Sequence, residues 1–261
     1  MSSFTTTFSS TLGKKLIMAL TGLFLCVFLV VHLIGNLQLF KDDQGQAFNA
    51  YSYFMTHALP IKIISYVLYL SIVLHAVYAL IVTTRNKKAR PQGYAVYHGE
   101  KNSSWSSRNM GILGTVLLIF IVIHMSNFWA QYHWGGLPYT KYEVNLNNEA
   151  EVAKVTHLPI TGEKLVYSDY VDAQRGVQVL VAKDLYSIVV SAFHQWWYVL
   201  LYVVSMVALS YHLVHGFQSG FQTLGWDHKK YFPIIKFLGI WVFSILIPLL
   251  FAAMPLYFFF K

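Results

Sequence analysis

Each of the first four of five long apolar runs in this 261-residue chain holds at least one deep histidine: His32, His75, His124 and His212. Ionisable side chains are rare in such runs, and each marks a candidate functional position. An imidazole there can hydrogen-bond to a neighbouring helix, relay a proton or donate a nitrogen to a metal. The eleven Asp and Glu residues offer these histidines no partner. They lie at positions 42–43, 100, 143–184 and 227, all outside the apolar runs. A carboxylate relay through the runs is therefore not supported. A histidine-dependent proton-coupled transporter, which usually places Asp or Glu in its spans, is the weaker reading. His212 and His215 form a single His-x-x-His, short of the clustered histidine boxes with which membrane desaturases hold two irons. The one cysteine, Cys26, permits neither an intrachain disulfide nor a Cys-x-x-Cys-His attachment of c-type haem, and reads as core filler.

The elements that carry the histidines follow from composition. The chain is 56% hydrophobic and 11% charged, where a soluble domain carries about a quarter charged residues. A bilayer-spanning helix needs about 20 apolar residues, and five stretches qualify: 15–40, 62–84, 110–132, 187–218 and 233–258. The expected fold is all-α, one integral membrane bundle of five transmembrane helices over residues 1–261, with an extracytoplasmic insertion at 133–186 that includes a short hairpin. The first run is too long for a signal-peptide core and lacks a small-x-small cleavage site, so it reads as a retained span. Basic residues gather before the first span (Lys14, Lys15), between the second and third (Arg85, Lys87, Lys88, Arg90, Lys101, Arg108) and between the fourth and fifth (Lys229, Lys230). That asymmetry places the N-terminus in the cytoplasm and the C-terminus outside. Trp129, Trp134, Trp196 and Trp197 then mark the outer interface, and Trp105, Trp226 and Tyr231 the inner one.

With alternating spans and a rise of about 1.5 Å per residue, the four histidines sort by depth. His32 lies nine residues before Lys41 and His124 nine before His133, each about 14 Å below the outer end of its helix. His75 lies ten residues before Arg85, about 15 Å above the inner end. His212 falls in the inner half of its span, where His215 partly shares its face. An outer pair, His32 with His124, and an inner pair, His75 with His212, result. Two bis-histidine b-type haems stacked across a bilayer require this arrangement, one imidazole on each face of each porphyrin. With no open coordination position, such haems transfer electrons.

Three further features accompany the pairs. Gly22 precedes His32 by ten residues and Gly114 precedes His124 by ten, with Asn36 and Asn127 one helical turn after the histidines. Small residues at these positions let a bulky group or a second helix approach closely. His194 lies eighteen residues before His212, on the same face if the helix is continuous, and fits either a quinone pocket or the interface. The histidines at 57, 98, 133, 157 and 228 read as solvated loop residues.

Several runs also resemble a known family. Gly13-Lys-Lys-Leu-Ile-Met-Ala-Leu-Thr-Gly-Leu-Phe, continuing to Val-His32-Leu-Ile-Gly-Asn36, resembles the membrane cytochrome b subunit of succinate:quinone oxidoreductases. The similarity is greatest to the five-helix, two-haem form of succinate dehydrogenases and fumarate reductases in menaquinone-using bacteria. His75-Ala-Val-Tyr, Leu-Ile-Phe-Ile-Val-Ile-His124 and His212-Leu-Val-His-Gly216-Phe extend it over almost the whole chain. The resemblance favours His212 over His215, since the family's ligand precedes a glycine by four. It implies a proximal haem b held by His75 and His212 and a distal haem b held by His32 and His124. It also implies anchorage in the bacterial cytoplasmic membrane of an FAD-containing flavoprotein and an iron–sulfur subunit, and electron exchange with a quinone, expected to be menaquinone. The inner connection 85–108 and residues 226–230 would then face the iron–sulfur subunit. Asn36 and Gln38, close to His32, are the expected quinone-site residues, and protons would pass through water, haem propionates or loop groups such as Asp42 and Asp43. The cytochrome b anchor of another respiratory dehydrogenase, a hydrogenase or formate dehydrogenase, is the neighbouring alternative.

Overall fold

The computed structural model describes residues 10–89, 99–146, 152–159 and 165–261; Arg90 and His98 lie outside the described residues. Seven principal helices run in chain order. α1 is Thr11–Asn36, prolonged by a 3-10 turn to Phe40, α2 is Gln46–His57 and α3 is Leu59–Lys88. α4 is Met110–Trp134, with a π turn at Met125–Ala130. α5 is Leu185–Phe193, α6 is Trp196–Thr223 and α7 is Phe232–Phe260, with a π stretch at Leu238–Leu246.

Five of these, α1, α3, α4, α6 and α7, are long and apolar enough to cross a membrane. Leu80, Ile112 and Leu249 are each more than 60% exposed on them. A soluble monomer rarely leaves large contiguous apolar patches in water, so these faces fit a hydrocarbon surround. Several hydroxyls within the spans are satisfied inside their own helices: Ser71 donates to the Val67 carbonyl at 2.8 Å, Ser205 to Leu201 at 2.7 Å and Ser244 to Gly239 at 2.6 Å, whereas Ser210 of α6 donates to the Ser244 carbonyl of α7. Such back-bonding removes the need for water.

Two expectations are corrected. The fourth span does not occupy 187–218. The chain breaks at His194 and Gln195, and the long helix begins at Trp196. His194 caps α5, its ring Nδ1 2.7 Å from the Val190 carbonyl oxygen. Apolar residues flank the break on both sides and no Gly or Pro marks it, so hydropathy reads through it. The break also removes the continuous helical phase that related His194 to His212.

The fold is also not all-α. The insertion holds a four-stranded antiparallel sheet in place of a hairpin, in the order β2-β1-β4-β3. β1 is Tyr139–Asn145, β2 Val152–Leu158, β3 Ser168–Asp172 and β4 Val177–Lys183. β1 buries Thr140, Tyr142 and Val144 on one face, and Glu143 between them is buried as well. Tyr142 stands opposite Val155 of β2 and Leu180 of β4.

The contacts divide the chain into two compact units. One comprises Met1–Val31, Ser65–Phe120 and Leu201–Ala252, and the other His32–Ile64, Ile121–Leu200 and Ala253–Lys261. The first contains Trp105, Trp226 and Tyr231, and the second Trp129, Trp134, Trp196 and Trp197, so each expected aromatic set falls within a single unit. In the first unit, Cys26 packs with Leu213, Phe217 and Ile235 in a core cluster, as a core filler should.

In the second unit the sheet is tied to helices through Asn49 of α2, which is 1% exposed. Its amide donates to the Tyr142 hydroxyl at 2.8 Å and to Asp184 at 3.2 Å, and its carbonyl accepts from the Tyr186 backbone at 2.9 Å. Asp184 in turn caps α5 through the Ser187 N–H at 3.0 Å and accepts from Thr140 at 2.7 Å. Replacing Asn49 with the near-isosteric Leu strands these buried groups. Unfolding in detergent should show a loss of about 3 kcal/mol, with amide protection falling in β1 and β4 together.

Glu143 offers a pH test of the same sheet. Hydrogen bonds from Arg175 at 2.7 and 3.0 Å and the Lys141 ammonium at 2.8 Å hold its carboxyl at about 2, down from the ordinary 4.5. A carboxylate depressed by folding stabilises the fold above its ordinary value and loses that contribution as pH falls toward 2. Sheet protection in the wild type should therefore decline over that acid window, and Glu143→Gln should flatten the decline.

Candidate histidine pairs

Each unit contains one of the expected pairs. In the first, His75 of α3 and His212 of α6 face each other with ring centres 6.3 Å apart and planes at 65°. Leu209 and Leu213 flank His212 in sequence and are packed into the core cluster with Cys26 and Phe217, which holds that stretch of α6 in register. The ring that meets His75 belongs to His212; His215 is half-buried one turn further on.

α1 shapes the seat of His75. The Thr21 hydroxyl lies 3.2 Å from the His75 Nδ1, and at Gly22 an added Cβ would come within 3.1 Å of the His75 Cε1. Gly114 of α4 borders His212 more loosely: a Cβ there would lie 3.8 Å from Cε1, an ordinary van der Waals contact. Both glycines of the sequence pattern therefore adjoin histidines of the other pair, not those ten residues after them, and Gly22 alone of the two makes room for its ring. Among the described residues, the buried Nδ1 of His212 has no hydrogen-bond partner.

In the second unit, His32 of α1 and His124 of α4 are 5.8 Å apart between ring centres, with planes at 87°. His124 sits immediately before the π turn Met125–Ala130, and such turns recur at functional sites. The turn places the Phe128 ring 5.4 Å from the His124 ring. It also lets Asn127 donate to the Tyr198 hydroxyl of α6 at 2.9 Å. Asn36 donates its amide to the His32 carbonyl at 2.7 Å and so closes the end of its own helix.

These separations suit a shared metal ion. Two metal–nitrogen bonds of about 2 Å each, with about 1 Å from each bonded nitrogen to its ring centre, set the centres about 6 Å apart. Among the described residues no group of three or more His, Cys, Asp or Glu side chains could hold a metal ion. A bare structural ion needs about four protein ligands, whereas a haem brings four nitrogens of its own and asks the protein for two. The donor set and the small residues beside His75 and His212 thus fit a bis-imidazole haem better than a protein-only metal site.

Other expected residues fall elsewhere. Gln38 is half-buried in the 3-10 turn after α1. Asp43 accepts from the backbone of Gly45 at 3.0 Å and Ala47 at 2.9 Å, so it stabilises the start of α2. His194 lines a cavity of about 540 Å³ in the second unit, together with Asp184, His157, Tyr186 and Gln195; neither Asn36 nor Gln38 lines it. Sequence reasoning missed Thr21 and Tyr198. Thr21 lies 54 positions before the ring it touches, and nothing local distinguishes it from any helix threonine.

Fold and pairs together define a chain with five membrane-crossing helices and two histidine pairs carried within them. Comparisons with protein-family models, curated proteins and solved structures give no match to this chain.

The Asn127–Tyr198 bond is open to a double-mutant cycle. Asn127→Leu and Tyr198→Phe should each destabilise the second unit, with a coupling of about 1 kcal/mol between them. A coupling near zero would show that the bond does not hold the π turn.

Proposed function

We propose that this chain is the membrane cytochrome b subunit of a succinate:quinone oxidoreductase, a five-helix anchor that carries two haems b. The observation that supports it best is the meeting of His75 with His212 and of His32 with His124, at ring separations matching two ligands of one iron. The motif resemblance supplies the rest of the reading. When bound, each haem contributes a one-electron couple.

The protein's own residues do the positioning. His75 and His212 would hold one iron and His32 and His124 the other, with two imidazoles for each, a ligand set suited to electron transfer and not to oxygen binding. Gly22 lets the His75 ring lie close against α1, and the Phe128 ring meets that of His124 edge-on. No Asp or Glu lies in the five spans, so protons exchanged with quinone travel outside them, through water and loop groups such as Asp42. In this reading the subunit has no catalytic residue for succinate itself. It lies in the bacterial cytoplasmic membrane with its N-terminus inside and its C-terminus outside, and passes electrons between the iron–sulfur partner of an FAD-containing flavoprotein and menaquinone. Asn36 and Gln38 border the quinone.

Protein purified from a haem-supplied host, reduced with dithionite and assayed by pyridine haemochrome, should contain two b-type haems per chain. Replacing His75 or His212 should remove one, and replacing His32 or His124 the other. Replacing His215 should remove neither. A colourless intact protein would overturn the reading. Succinate-reducible haem in the preparation with its soluble partners separates this reading from a hydrogenase or formate dehydrogenase anchor. Alanine at Asn36 and Gln38 should lower quinone-linked turnover while leaving haem content unchanged.

A further inference from the structure

The two imidazoles of the first unit are not equivalent, and the difference resides in a residue outside the pair. Thr21 Oγ1 lies 2.7 Å from the Ile17 carbonyl oxygen and 3.3 Å from that of Met18. A hydroxyl has one proton, and with that proton on the Ile17 carbonyl Thr21 can accept from His75 Nδ1 across the 3.2 Å contact. An imidazole that binds iron through Nε2 carries its proton on Nδ1, so in the haem-bound protein this contact is Nδ1–H donating to Thr21, with the Met18 backbone as a second partner of the ring. Gly22, the next residue, gives the ring room to lie against α1 in this orientation. His212 has no such clamp, since its buried Nδ1 is orphaned.

We infer that Thr21 is a positioning residue for His75: it accepts from Nδ1–H, steadies the ring against α1 and makes His75 the stronger donor of the pair. A hydrogen bond accepted from Nδ1–H raises the basicity of the ligating nitrogen. A more basic axial ligand favours the oxidised metal and lowers the reduction potential. One hydroxyl on α1 thus sets this haem below the potential that two unclamped imidazoles would give it. The assignment rests on the bis-histidine haem reading above.

Potentiometric titration and low-temperature EPR of wild type, Thr21→Val and Thr21→Ser, each with haem counted per chain, test it. Thr21→Val, nearly the same shape without the hydroxyl, should move one of the two haem potentials upward and alter one ferric low-spin signal. Thr21→Ser should return both to the wild-type values. In a His124→Ala background, where the remaining haem is that of His75 and His212, the shift should persist; in a His75→Ala background it should vanish. Two haems whose potentials and signals ignore Thr21→Val would overturn the assignment and leave the haem reading intact. So would a serine variant as displaced as valine, or one that loses the same haem. A wild type without haem would overturn both.

Discussion

An imidazole carried into an apolar helix is costly unless its nitrogens find partners, and the histidine arrangement of this protein is organised around that constraint. The four deep histidines meet each other in two pairs. The alternative available elsewhere in the protein, a carboxylate, is absent from the sequence of the spans. Hydroxyls face the same demand in milder form, and most meet it by bonding to carbonyls one turn back, while Ser210 reaches a carbonyl of the neighbouring helix. Thr21 does this while also meeting His75, so a residue whose usual role is local becomes part of the site. The orphaned His212 nitrogen shows the opposite outcome, a polar atom buried by packing with no partner beside it.

The same demand, met by different means, holds the part of the chain outside the helices. The insertion after α4 brings charged and polar residues together where sheet and helices meet. Asn49, Tyr142, Thr140 and Asp184 form a closed set of hydrogen bonds, each donor with an acceptor. Buried polar sets of this kind fix a geometry because every alternative packing leaves a group unsatisfied. The sheet is therefore part of the second unit, which also carries His32 and His124.

Close approach is the second organising feature, and it explains why small residues sit where they do. Gly22 admits the ring of His75, Gly35 lies so near the Tyr51 ring that a Cβ would collide with it, and Gly220 packs on Leu23. Helices lacking a strong solvent-driven force between them gain from backbone-to-side-chain contact of this kind. At these three positions a side chain would have to displace its neighbour.

Much was legible in the sequence because the signals are one-dimensional. The apolar runs determined the five long helices to within a few residues, except where the fourth starts. The depth of each histidine within its run gave the two pairs, since distance along a helix is proportional to residue number. The break at His194 and Gln195 was not legible, because hydropathy is the same on both sides and the capping bond is made by a ring nitrogen that no pattern predicts. The four-stranded sheet was underestimated because strand alternation is weak in a short segment and pairing is decided by partners far along the chain. Only the tertiary structure could show that Gly22 and Gly114 adjoin the opposite pair, and that Thr21 rests on a ring 54 positions away. Which side chains meet across neighbouring helices depends on helix rotation and crossing, and a linear sequence records neither.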